Sequence, residues 1–359
     1  MVLVRRIELV EEVIGCCGIK DGCLGMFLKD PVVVGSVMWI AILASREVKR
    51  NKSYRARRMG EDMVFWRDSD GKIMALGNYC PHRQALLSQG KVVNGLIQCP
   101  YHGFEFDGTG RVVYVPAMGR SQRPPSYLKA KSYVLYEQHG IVWMWYGPGK
   151  PEAPPRFFDD LKGLEAYAEY WETWNISFPR AVETQLDVFH LPFVHYNTIG
   201  RGNRTLINGV AVKQVDDLTF VWSAVAEKDL GQKPRLKLDI DPREAGVYLE
   251  FIYPNLWQNH ISENMRVLAF FAPMDSQRTV VYIRFYVKPT GIKGIDAVLA
   301  RLGMFFNVYI LHQDRRVVEG QNPGIIGDKL IAPDVPITIF RRMLLKDKEL
   351  LNRLGIKVV

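Results

Sequence analysis

From about Val32 to Tyr146 the apolar positions come in short alternating runs, each closed by a turn signal: MVFWRD from Met63, KIMALGN from Lys72, RVVYVP from Arg111, YVLYEQHG from Tyr133 and IVWMWYG from Ile141. Period-two alternation puts every second side chain on one face, so this stretch predicts a small all-β unit. Asp107-Gly108 is a hairpin signal within it. The pattern stops at GPGKPEAPP, Gly147 to Pro155, where four prolines and two glycines in nine residues predict a stiff connector.

Beyond the connector a helical stretch from about Pro179 to Tyr196 precedes long alternating strands (TFVWSAVAE, GVYLEFIYP, RVLAFFAP, TVVYIRFYVK). Apolar residues at three-to-four spacing return from Ile295 to Gln321. The expected fold class is α+β: an all-β domain, then an α+β domain with helices packed on an antiparallel sheet. The expected boundaries are an N-terminal extension over 1–31, a first domain over 32–146, the connector over 147–155 and a second domain over 156–359. In the extension Val4, Ile7, Val10 and Ile14 recur at helical spacing ahead of a loop holding Cys16, Cys17 and Cys23, and Met26 offers an alternative start of translation.

The 359 residues are 48% apolar and 24% charged, which excludes a disordered chain. The longest apolar run, Pro31 to Ser45, is broken by Gly35 and Ser36 and falls short of the ~20 residues of a membrane helix. Glu8, Glu11 and Glu12 interrupt any secretory core. No membrane span and a cytoplasmic location are therefore expected. Five cysteines, an odd number, argue against a disulfide framework. The formal charge is +9, with basic residues crowding Arg46 to Arg58. That run fits a solvated edge strand and turn better than a docking face for an acidic electron carrier. No helix-turn-helix, zinc-finger or RNA motif accompanies the charge, so no nucleic-acid partner is expected.

The chemistry concentrates in two places. Cys80-Pro81-His82 is followed, sixteen residues later, by Cys99-Pro100-Tyr101-His102. Each short loop offers one thiolate and one imidazole, a set that holds a two-iron cluster with Cys80 and Cys99 on one iron and His82 and His102 on the other. A zinc site could use the same residues, but finger spacing pairs cysteine with cysteine and histidine with histidine. The second place is Glu183 to His195, where Asp187, His190 and His195 lie close together. Two histidines and a distant carboxylate suit a facial-triad Fe(II) site with coordination positions left for O₂ and substrate. On an unbroken helix Asp187 and His190 share a face, whereas His190 and His195 point about 140° apart. Pro192, between the histidines, supplies the distortion that would let them converge.

The first motif resembles a Rieske domain, of the oxygenase and ferredoxin branch, because Ala85 and Tyr101 stand where respiratory-chain members carry extra cysteines. With the second motif, nearly the whole chain from Val32 resembles the catalytic component of a Rieske non-haem iron oxygenase. The resemblance implies Asp314 as the third ligand of the mononuclear iron; Glu319 and Asp328 are off the family position, and His312 reads as structural. It also implies that Asp187 bridges His190 to the cluster histidine, here His102, of a neighbouring chain in a homotrimer. The family's Asn after the leading Glu is replaced here by Thr184 and Gln185.

The expected activity is O₂-dependent hydroxylation, as ring hydroxylation or demethylation, of a hydrophobic aromatic or polycyclic molecule. Monooxygenation stands level with dihydroxylation. No dinucleotide-binding glycine motif is present, so a separate reductase or ferredoxin is the expected electron donor. Phe189, Phe193 and Tyr196 are the expected pocket residues, with Trp257, Asn259 and His260 on a strand that could face them. The competing reading is a Rieske ferredoxin-like carrier without oxygenase activity.

Overall fold

A computed structural model of the protein describes residues 39–356 except 162, 163, 165, 236–239 and 326. The expected N-terminal helix and Cys16, Cys17 and Cys23 lie outside the described residues.

The first part holds ten short strands: β1 (Trp39–Ala44), β2 (Tyr54–Arg58), β3 (Glu61–Arg67), β4 (Ile73–Gly77), β5 (Lys91–Val93), β6 (Leu96–Gln98), β7 (Glu105–Phe106), β8 (Val112–Tyr114), β9 (Leu135–Gln138) and β10 (Ile141–Trp145). They form three antiparallel sheets ordered β1-β10-β9, β2-β3-β4 and β5-β6-β7-β8. The β7–β8 hairpin forms at Asp107, whose side chain accepts from the backbone of Thr109 and Arg111. The residue that needs glycine there is Gly110 rather than Gly108: its φ is +84°, and a Cβ would strike the Ala130 carbonyl. The basic run is largely spent on structure. Arg46 reaches Glu169, Arg55 pairs with Asp62, and buried Arg58 donates to the Ile42 carbonyl and the Tyr282 hydroxyl.

The second part is one antiparallel sheet of seven strands: β11 (Ala166–Trp174), β12 (Leu206–Gln214), β13 (Thr219–Glu227), β14 (Tyr248–Ile252), β15 (Leu256–Ser262), β16 (Met265–Pro273) and β17 (Thr279–Val287). Their spatial order is β11-β17-β16-β15-β14-β13-β12. Five helices accompany it: α1 (Phe178–Leu186), α2 (Leu191–Val194), α3 (Lys293–Val318), α4 (Val335–Lys346) and α5 (Lys348–Leu354).

Alternation along β16 assigns the two faces. Val267, Ala269 and Phe271 join a core with the helices, including Val182, Leu311 and Phe340. Leu268, Phe270 and Ala272 pack instead against Trp39, Ala41, Ile141 and Trp143 of β1 and β10. The two parts therefore share buried interior despite the proline-rich connector. Asn255 stitches the seam: its amide oxygen accepts from Ala41 N at 3.2 Å, and its amide nitrogen donates to Ala41 O at 2.8 Å.

Helix α3 lies against β11 and β17. A mid-helix glycine ordinarily costs about 1 kcal/mol relative to alanine. Gly303 is there because the Phe285 ring of β17 occupies the space a Cβ would fill. By length and composition the α3 stretch Gly294–Val318 could cross a membrane, although charged residues interrupt its apolar run. Its sheet-facing side nevertheless buries Ala300, Leu311 and Asp314.

The expected helix from Pro179 to Tyr196 is two helices. α1 ends at Asp187, whose ψ of 134° is extended, and α2 begins after His190. The break falls ahead of Pro192 rather than at it. Pro192 sits in the first turn of α2, where a missing N–H costs nothing. Asp187 and His190 thus do not share a helix face; an extended link between two helices sets their relation.

Candidate metal centres

The two Cys–His loops of the first part repeat one backbone design. Cys80 N donates to Ala85 O and Cys99 N to Phe104 O, at 2.9 and 2.8 Å. Each loop is then closed by the fourth residue on: Gln84 N reaches Cys80 O, and Gly103 N reaches Cys99 O. Both closing residues are left-handed, Gln84 at φ 58° and Gly103 at φ 71°. The repetition points the two cysteines inward, each 2% exposed, and the two histidines outward. His82 and His102 meet edge to face with ring centroids 4.7 Å apart, and His82 stacks on Phe104.

Burial pushes the Cys80 thiol up to about 11, and the adjacent Cys99 sulfur adds to this, against backbone N–H donors from His82 and Arg83. Two buried sulfurs, that of Cys80 receiving backbone N–H donors, suit thiolates bound to metal, and the donor set fits a [2Fe–2S] cluster.

In the second part His190 and His195 converge with Asp314 of α3. His195 Nε2 lies 2.9 Å from Asp314 Oδ1, His190 Nε2 lies 3.4 Å from it, and the two Nε2 atoms are 3.3 Å apart. These separations match the edges of one octahedral face, since ligands at about 2.1 Å and right angles sit about 3.0 Å apart. Each ring's other nitrogen is engaged. His190 Nδ1 lies 3.5 Å from Asp187 Oδ2, and His195 Nδ1 lies 2.8 Å from Gln313 Oε1. Nδ1–H donation leaves both Nε2 lone pairs facing the carboxylate, an arrangement that calls for a cation between them.

The electrostatics agree. Burial lowers the His190 pKa, but Asp187 and Asp314 outweigh it and push it up to about 9. Burial raises the Asp314 pKa, while contacts with His190 and His195 outweigh it and hold the carboxyl below its usual range.

Gln313, missed in the sequence, is itself held: its amide nitrogen donates to Asn197 Oδ1 and its oxygen accepts from Thr198. Its position beside Asp314 was the available signal. Gln185 donates to Asp314 Oδ2 at 3.4 Å, so the polar group in doubt beside the ligands is this amide. Glu319 is tied to Arg315 and Asn175 N, Asp328 to Arg180 and Arg341, and His312 to Glu172; none of the three belongs to the cluster.

The triad stands between two cavities. One, of about 530 Å³, is largely apolar and lies between the sheet and α3, lined among others by Trp257, Asn259, Phe285 and Phe306. The other, of about 350 Å³, is polar and lined by Arg180, Glu183, Asp187 and Arg341. Phe189, Phe193 and Tyr196 line neither cavity, which corrects the expected pocket. Phe193, on α2, and Tyr196, in the turn after it, point outward, 67% and 64% exposed. Trp257 and Asn259 do face the apolar cavity, whereas His260 faces the other way and stacks on Tyr248.

A β unit with paired Cys–His loops, followed by a helix-backed sheet holding a two-histidine, one-carboxylate cluster, defines a protein with two redox-metal centres. Residues 38–133 match the Rieske [2Fe-2S] domain, and residues 174–347 match the vanillate O-demethylase oxygenase C-terminal domain. The chain belongs to the Rieske oxygenases, and its β unit is the [2Fe–2S] domain.

Among curated relatives, the oxygenase component of dicamba O-demethylase from Stenotrophomonas maltophilia is 37% identical over 139 residues, 37% of this chain and 40% of the relative. Protein TIC 55 of Arabidopsis thaliana is 26% identical over 315 residues, 84% of this chain and 56% of the relative. Chlorophyllide a oxygenase of Chlamydomonas reinhardtii is 34% identical over 144 residues, 40% of this chain but 22% of the relative. The chain thus spans about half or less of these relatives' length. In fold it is similar to dicamba monooxygenase bound to 3,6-dichlorosalicylic acid (TM-score 0.65, 20% identity, 90% of this chain and 99% of that one). It is likewise similar to NdmA of Pseudomonas putida CBB5 with caffeine (TM-score 0.68, 20% identity, 88% and 94%).

Proposed function

We propose that this chain is the terminal oxygenase component of a Rieske-type system, hydroxylating or demethylating a hydrophobic ring compound with electrons from a separate reductase or ferredoxin. The observation that carries the reading is the convergence of His190 Nε2, His195 Nε2 and Asp314 Oδ1 within 3.4 Å at the end of an apolar cavity. The domain limits adopted are 32–146 for the Rieske domain, 147–155 for the linker and 156–359 for the catalytic domain.

In this reading Cys80, His82, Cys99 and His102 hold the cluster, and His190, His195 and Asp314 hold a mononuclear Fe(II). When bound, that iron supplies O₂ activation, with the cluster feeding it electrons. The chain's residues do the positioning. Gln313 and Asp187 keep the imidazoles in the Nδ1–H tautomer, and Gln185 orients Asp314. The apolar walls exclude water and hold the substrate ring beside the triad. Asp187, at the boundary of both cavities, is the candidate link to His102 of a neighbouring copy in a homotrimer. The outward placement of His82 and His102 supports delivery of electrons across such an interface.

The test is metal and sulfide analysis together with substrate-dependent O₂ uptake in the presence of a reductase. About three irons to two sulfides per chain, with uptake, are expected. About two irons to two sulfides without uptake would instead describe an electron carrier. Equilibrium sedimentation reads the trimer independently.

A further inference from the structure

The apolar cavity contains a matched donor and acceptor that no protein group satisfies. Trp257 and Asn259 are two residues apart on β15, so period-two geometry puts both on the helix-facing side. Both line the cavity. The intervening Gln258 and the following His260 turn to the other face, towards Asp160. Trp257 is 6% exposed, and its indole N–H has no hydrogen-bond partner; Asn259 Oδ1 is likewise buried and unpartnered. An orphaned buried polar atom typically costs about 1–3 kcal/mol, so these two atoms, with the buried and unpartnered Ser223 hydroxyl of the same cavity, mark a place where something binds. The other two amides on the wall are engaged: Asn307 donates to the Gly303 carbonyl and Gln185 to Asp314.

Charge narrows the class. No lysine or arginine stands among the described residues lining this cavity; its ionisable side chains are Asp187, Asp314 and the two histidines of the triad, since the Tyr248 ring stacks on His260 across the sheet. A carboxylate or sulfonate at this pair would meet no side-chain cation, would have no proton to offer Asn259 Oδ1, and would have the triad's metal as its one counter-charge, beside two aspartates.

The geometry points to Trp257 and Asn259 as the specificity-determining pair for a neutral fused-ring compound bearing one group that both accepts and donates a hydrogen bond, such as a hydroxyl or a ring lactam. The indole N–H donates to that group's oxygen, and Asn259 Oδ1 accepts its proton, while the apolar walls take the rings. A site built to bond such a group also rejects analogues without it, because its own polar atoms then stay unpaired. The assignment rests on the oxygenase reading for its placement beside the triad.

The experiment is equilibrium binding to the metal-loaded protein, held anaerobic and without reductant, of three probes on one frame: phenanthrene, 9-phenanthrol and phenanthrene-9-carboxylate. The phenol should bind about tenfold or more tighter than the hydrocarbon, with the carboxylate weakest, as one to two net hydrogen bonds allow. Asn259→Leu and Trp257→Phe should each cut the phenol's advantage below about threefold while leaving the hydrocarbon's affinity within about threefold. Tightest binding of the carboxylate, no binding by any probe, or an undiminished phenol preference in both variants would overturn the assignment. If a variant does not fold, the ranking in the unmodified protein decides. No turnover is involved, so absent hydroxylation with this ranking intact would sink the oxygenase reading and leave the ligand class standing.

Discussion

His195 Nδ1 lies 2.8 Å from Oε1 of Gln313, so the residue preceding Asp314 on α3 governs the tautomer of a histidine contributed from the opposite side of the cluster. Replacing Gln313 with Leu removes the acceptor and frees the ring. Fe(II) affinity should fall about 10- to 100-fold, the usual effect of losing such a partner, as read by competition with a chromophoric chelator. Gln313→Glu keeps an acceptor in place and should retain most of the affinity. Equal loss in both variants would show that the contact is incidental.

A pH dependence follows from His190. In the metal-free fold its pKa is raised from 6.5 to about 9. Its protonated form therefore stabilises the fold fully below about pH 6.5, and that contribution is lost as pH rises through about 9. Metal must displace this proton, so Fe(II) affinity should climb roughly tenfold per pH unit between about pH 7 and 8.5, then level off. Anaerobic titrations across that window measure the slope. A flat line contradicts the assignment of His190 as a ligand.

How far the chain's own letters disclosed this arrangement depends on range. The Cys–His loops are local: each closes within six residues, so their spacing carried the whole motif. Alternating strands and the long helix declared themselves by periodicity. The break between α1 and α2 was misplaced because proline was weighed as a helix breaker, when at the start of α2 it is a helix opener. The cavity walls were misassigned for a different reason. Phe193 and Tyr196 are neighbours of the ligands in sequence, but which way α2 and the turn after it present them is set by tertiary packing, which local pattern does not encode. Alternation along β15 already set Asn259 with Trp257 on one face, but the helix that closes the cavity over them, α3, is built from residues well beyond them in the chain.

Beneath the triad, Arg341 is 1% exposed and bonds both oxygens of buried Glu183 on α1 as well as Asp328. Arg341→Met leaves Glu183 with Arg180 alone, at 3.2 Å, and should cost up to about 3–5 kcal/mol in urea unfolding, whereas pairing it with Glu183→Leu should recover part of that loss. A single-variant cost under about 1 kcal/mol would mean that solvent reaches the pair.

Glu250 of β14 is pushed up to about 7, first by burial and then by Asp160, against relief from Arg243. Its folded pKa exceeds the ordinary 4.5, so the stabilising, protonated state is complete below about pH 4.5 and is lost as pH rises through about 7. Glu250→Gln should therefore raise thermal stability at pH 8, by on the order of 1–3 kcal/mol, and change little near pH 4.5. Melting curves at the two pH values decide it, and equal effects at both would remove the titration as the cause.

Asn255 and the β1–β10 sheet have a last consequence, for the chain as a mechanical object. Because Ala41, Trp143 and Phe270 lie in one buried cluster, the connector from Gly147 to Pro155 is a covalent tether between pieces already glued by their interiors. A protease that nicks this tether should yield two fragments on a denaturing gel that still migrate together under native conditions, with the spacing between the two metal centres of a chain left unaltered.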